Sequence, residues 1–221
     1  MTNISNIDAR MSYENAKIAL QKAFPDVQNI AEICKLTQST LRLEQLLVAG
    51  NTSYQFNVLS NEPLISNTEK RLLQQDSAIV QQMGLFVGVP ASATDTSFLP
   101  LTYPNQVAFG TADALALNSL YNGNLSLAVN NDILIPNWDL YKHLSVPETQ
   151  QTAALGSASP MDENYGACQS FFPVEPNVVL IGSKNNVITV TIPKGISAVA
   201  ANSRMILILR CIIAQNSTVV S

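Results

Sequence analysis

Charge is scarce in this chain: Asp, Glu, Lys and Arg make up 13% of its 221 residues, about half the usual fraction for a globular protein. From Arg71 to Lys142 no Lys or Arg intervenes, only Asp76, Asp95, Asp113, Asp132 and Asp139. Phosphate contacts need clustered cations, so with a net charge of −4 strong direct nucleic-acid binding is not expected. Histidine occurs once, as His143, and cysteine three times, as Cys34, Cys168 and Cys211, with no C-x-x-C pair. Neither type recurs at ligand spacing, so no metal site is expected, and the scattered cysteines read as reduced, buried thiols. No G-x-S-x-G elbow accompanies His143, and no glycine-rich phosphate loop is present. Asp162 and Glu163 stand in no calcium-loop pattern. The expectation is therefore a protein that is not an enzyme and uses no cofactor. Long apolar runs are missing too: Met205 to Ile213 is about half of the ~20 residues a membrane helix needs, and it contains Arg210. The opening Met1 to Asp8 has neither a basic nor an apolar leader region, from which folding in a cytosol is expected.

What is abundant is apolar and amide. Hydrophobic residues are 47% of the chain, and Asn, Gln, Ser and Thr carry most of the polarity. Burying an amide or hydroxyl costs far less than burying an ion, so such a surface suits coverage by neighbours. A chain of this length buries roughly 70–75% of its unfolded surface and can form one domain.

The apolar period changes along the chain. Tyr13, Ala16, Leu20, Phe24 and Val27 recur at helical spacing, with Ser12 as the expected N-cap and Pro25 as the expected stop. Ile30 and Ile33 continue the stripe as far as Cys34. Residues 1–36 thus read as a helical N-terminal extension and 37–221 as a β domain. From there the period is two: Ser53 to Leu59 alternates, and Asn124 to Pro136 reads as a hairpin turning at Asn130-Asn131, residues that tolerate positive φ. Further strands are expected over Thr40 to Val48, Ala78 to Val89, Gln106 to Gly110, Ser170 to Val174, Val178 to Ile181, Val187 to Ile192 and Met205 to Ile213, about ten in all. Val178 to Ile181 and Val187 to Ile192 read as a pair. A helix over Thr111 to Leu120 would bury Ala112, Leu115, Ala116 and Leu120. Many short strands with few helices make the fold mostly β, a sandwich or barrel.

Two stretches carry a family resemblance. NTEKRLLQQD (Asn67 to Asp76) leads into AIVQQMGLFV (Ala78 to Val87), and LSLAVNNDILI (Leu125 to Ile135) is followed by LYKHLSVPETQ (Leu140 to Gln150). In these the chain resembles bacteriophage virion proteins, in particular jelly-roll capsid proteins of small tailless phages. The resemblance implies a coat subunit that self-assembles into an icosahedral shell. Its partners would be copies of itself, other virion proteins and, in some families, an internal membrane. It would be made in the host cytoplasm and located in the virion. Such proteins often hold two jelly-roll barrels, about sixteen strands. The count of about ten favours one barrel after a helical segment, with two small barrels as the alternative.

Two residue sets are candidate contacts. Tyr13, Leu20, Phe24 and Val27 would meet neighbouring subunits or the inner face of a shell, unless the helix folds back on its own barrel. Tyr121, Trp138 and Tyr141 would form an aromatic platform if the chain were instead a carbohydrate-binding or adhesin module. In the blander reading, Trp138 closes one end of a barrel.

Overall fold

The structure, a computed structural model, describes residues 2–59, 68–92, 94–146, 170–197 and 199–220, without the side chains of 2–10 and 107. Cys168, Asp162 and Glu163 lie outside the described residues. Eight strands among the described residues form two antiparallel four-stranded sheets. The first contains β1 (Lys35–Leu46), β3 (Ser77–Gly88), β6 (Phe171–Ile181) and β8 (Arg204–Gln215), in the order β1-β8-β3-β6. The second contains β2 (Ser53–Asn57), β4 (Asn124–Val129), β5 (Asp132–Asp139) and β7 (Asn186–Thr191), in the order β2-β7-β4-β5. The fold is a β-sandwich.

The pairing is symmetrical about the β4–β5 hairpin. Counting outward from it, β4 pairs with β5, β3 with β6, β2 with β7 and β1 with β8. The chain therefore runs as one long antiparallel ribbon whose successive strand pairs alternate between the two sheets. Asn130, in the left-handed region at φ 55°, makes the turn, as the Asn-Asn pair predicts.

Alternation decides which faces meet. In β8, Met205, Leu207, Leu209 and Cys211 face the sandwich core with Leu41, Phe56, Leu85, Leu127 and Ile188. Its other face is also covered, with Ile206, Ile212 and Ala214 all buried. That double burial is why Met205 to Ile213 reads as an apolar run interrupted only by Arg210, which is exposed.

The N-terminal helix α1 (Thr2–Ala23) and the short α2 (Ile30–Ile33) cover part of this outer face. Ala16, Leu20, Phe24, Ile30 and Cys34 pack with Ile79, Ile181, Ile212 and Ala214 in a second apolar cluster. Pro25 stops the helix as expected. Ser12 does not cap it, because the helix begins ten residues earlier at Thr2; the Ser12 carbonyl instead accepts a hydrogen bond from Gln81 Nε2 of β3 at 3.2 Å.

Four expectations are corrected. Gln106 to Gly110 is not a strand: Gln106–Phe109 forms helix α3, and Gly110 at φ 81° turns the chain into α4 (Thr111–Leu117). In α4 the buried residues are Ala114 and Leu117, while Leu115 is 59% exposed, so the buried face is rotated from the expected one. The expected strands Ser170 to Val174 and Val178 to Ile181 are, apart from the turn residue Ser170, parts of the single strand β6, which pairs with β3 on either side of a register shift. Lastly, Val178 to Ile181 and Val187 to Ile192 do not pair, because the turn between them carries the chain from one sheet to the other. Gly182 makes that crossing close: its amide donates to Asp76 O at 2.9 Å, and a Cβ there would stand 2.3 Å from Leu73 O. Eight strands lie among the described residues, where the two-barrel alternative requires about sixteen.

Candidate functional site

His143 is the residue around which catalysis would have to be built, and its surroundings are structural. It is fully buried. Its Nε2 accepts from Trp138 Nε1 at 2.8 Å, which makes Nδ1 the protonated nitrogen, 2.8 Å from the Ser170 carbonyl it donates to. Phe172 packs edge-on at 5.3 Å between ring centres. Burial lowers its pKa from the ordinary value, because the imidazolium would lose hydration and one of its two ring nitrogens would face a donor. Among the described residues, no three His, Cys, Asp or Glu side chains come together as a metal site would require. Cys34 and Cys211 are buried free thiols, and burial pushes the Cys211 thiol up to about 12.

The aromatic platform does not assemble. Tyr121 is buried in the core and its hydroxyl donates to Thr102 O at 3.2 Å. Burial raises its phenol far above the usual range. Trp138 is turned toward His143, with Lys142 Nζ 4.6 Å above its ring, and only Tyr141, 66% exposed, is open to solvent. Trp138 fits the role of an anchor at the end of the sandwich.

The helical stripe is also turned inward. Leu20 is fully buried and Phe24 nearly so, both against the chain's own first sheet, with Val27 packed beside them. Only Tyr13, 38% exposed, stands outside, under Lys17 Nζ at 4.9 Å. The reading of Leu20, Phe24 and Val27 as inter-subunit contacts is thereby corrected: the apolar outer face of β3, β6 and β8 lies within the same chain and is buried by them.

At the other end of the first sheet lies a buried ionic cluster. Glu44 Oε1 accepts from Arg42 Nε at 2.8 Å and Oε2 from Arg204 Nη1 at 2.8 Å. Glu69 accepts the Glu44 amide at 2.9 Å and Arg71 Nη2 at 3.2 Å. Phe98 lies against both Arg42 and Arg204. The cluster ties the 68–71 segment, the 98 loop and the sheet together.

Two exposed features remain. The first is a groove of about 990 Å3 between α1 and the outer face of the first sheet. Met11 and Ile18 form its helical wall, 60% and 55% exposed. Gln38, Gln81 and Gln82 make an amide floor, and Pro173, Glu175 and Pro176 of β6 the far wall. Its cations are Lys22 and Arg210; Arg210 stacks 3.7 Å from the Phe171 ring centre and donates to Gln82 Oε1 at 3.1 Å. The second is the β4–β5 hairpin, where β5 is exposed along most of its length. Ile133 is 63% and Leu134 38% exposed, the latter at a register shift of the hairpin, beside an exposed Asp132. The tip is held in place, with Asn130 N 2.6 Å from Asn185 O and Asn185 N 3.0 Å from Asn130 Oδ1. No sequence signal short of the sheet order could have shown that these apolar residues face solvent.

Three of the four sheet edges are blunted. β6 carries Pro173 and Pro176, β5 carries Pro136 and two register shifts, and β1 is bridged at Arg42 by the Lys70 backbone. Prolines and bulges of this kind block strand addition. No family model, curated protein or solved structure matches the chain.

Proposed function

We propose that the chain is a single jelly-roll coat subunit that assembles with copies of itself into the icosahedral shell of a bacteriophage virion. The observation that carries the reading is the symmetrical pairing of β1 with β8, β2 with β7, β3 with β6 and β4 with β5. An eight-stranded ribbon folded into two four-stranded sheets is the jelly-roll arrangement, one used by viral capsid and lectin domains among others. Within that set, the separation of Tyr121, Trp138 and Tyr141 speaks against a sugar platform. The phage assignment rests on the resemblance of Asn67 to Val87 and Leu125 to Gln150. A charge-poor, amide-rich surface supports many modest, reversible contacts, and the blunted edges direct those contacts to side chains rather than to added strands. The test is electron microscopy of the purified chain at rising concentration. Closed particles of uniform size are expected; a dispersed monomer at every concentration overturns the reading.

A further inference from the structure

We infer that the β4–β5 hairpin tip of one subunit docks in the groove between α1 and the first sheet of a second copy. The inference rests on the self-assembly reading above and specifies its contact. The two surfaces are complementary in charge. The tip carries the exposed Asp132 and, on the β6–β7 turn fastened to it, the exposed Lys184, and the groove presents Lys22 and Arg210 beside the carboxylate Glu175, so each charge of the tip has an opposite to meet. Neither Lys22 nor Arg210 forms an ion pair among the described residues, and both are exposed.

They are also complementary in polarity. Ile133 and Leu134 stand exposed beside the tip, and the groove offers apolar walls on its two sides, Met11 and Ile18 against Pro173 and Pro176. The amide floor of Gln38, Gln81 and Gln82 can accept or donate to the backbone of the Asn130-Asn131 turn without burying a charge. Because the tip is fastened to the β6–β7 turn through Asn130 and Asn185, little conformational freedom is lost on docking.

Knob and groove lie on different parts of one molecule, so the contact is heterologous. Contacts of this type close into rings when the rotation between copies allows it, and rings of subunits are what a closed shell is made from.

A charge-reversal cycle tests the pairing, read by sedimentation velocity with circular dichroism and melting as controls for folding. Asp132→Lys and Arg210→Glu should each weaken self-association by at least about tenfold, because like charges then face each other. The double variant should restore it. Lys22→Glu, at a side chain with no ion pair among the described residues, should act in the same direction as Arg210→Glu. Unchanged association in folded single variants overturns this contact and leaves the self-assembly reading standing, and so does a double variant that stays dissociated. A wild-type chain that is monomeric throughout overturns both.

Discussion

Two buried side chains set the local consequences of this fold. His143 is held neutral between Trp138 Nε1 and the Ser170 carbonyl, and its pKa is lowered in the folded state. The unfolded chain therefore binds the extra proton more readily. The histidine's contribution to stability is complete above about pH 6.5 and is lost as pH falls from there toward the lowered folded value. Melting temperature should drop over that window in the wild type, and His143→Gln should flatten the drop while lowering the plateau; an unaltered slope would show that the acid sensitivity lies elsewhere. Glu44 is the second case. It is enclosed by Arg42 and Arg204 at 2.8 Å each, so Glu44→Gln removes the carboxylate charge that faces Arg204, whose side chain is 3% exposed. Removing one partner of a buried pair costs about 3–5 kcal/mol, and denaturant unfolding should show a loss of that order. A change below about 1 kcal/mol would mean that the arginines relax to solvent.

At the scale of elements, α1 belongs to the subunit's own core. Leu20→Ala should cost about 2–5 kcal/mol, since the side chain is fully buried against Ile79, Ile181 and Ile212. A near-neutral result would instead mean that the helix leaves the sheet in solution. Gly182→Ala should destabilise as well, because its Cβ would meet three backbone carbonyls, those of Leu73, Gln74 and Asp76, that cannot swing aside. What the sequence made legible follows from period. The alternating hairpin Asn124 to Pro136, the doubly buried run of β8 and the Pro25 stop all carry their structure in local pattern. Sheet membership does not: β6 and β7 are similar apolar runs separated by a short turn, and only the backbone contacts around Gly182 show that the turn crosses layers. The phase of α4 is not fixed by local pattern, because Ala112, Leu115 and Ala116 match the helical period as well as the buried Ala114 and Leu117 do; of the expected face, Leu120 alone is fully buried, just past the end of α4. The stripe of α1 was read correctly as apolar, but a stripe cannot say whose sheet covers it. The groove and the exposed hairpin residues were not legible, since both arise where distant elements end side by side.

For the whole molecule, scarce charge and covered edges point in one direction. With 13% charged residues and a net charge of −4, mutual repulsion between copies is weak. The exposed apolar side chains Met11, Ile18, Ile133 and Leu134 are those that a second copy would remove from water in the proposed contact. The central claim is self-assembly of an intact, folded subunit, and sedimentation velocity across a wide concentration range tests it most directly. The expected result is a concentration-dependent passage from monomer to one narrow, large species. A single boundary at the 23.9 kDa monomer mass at every concentration would contradict it.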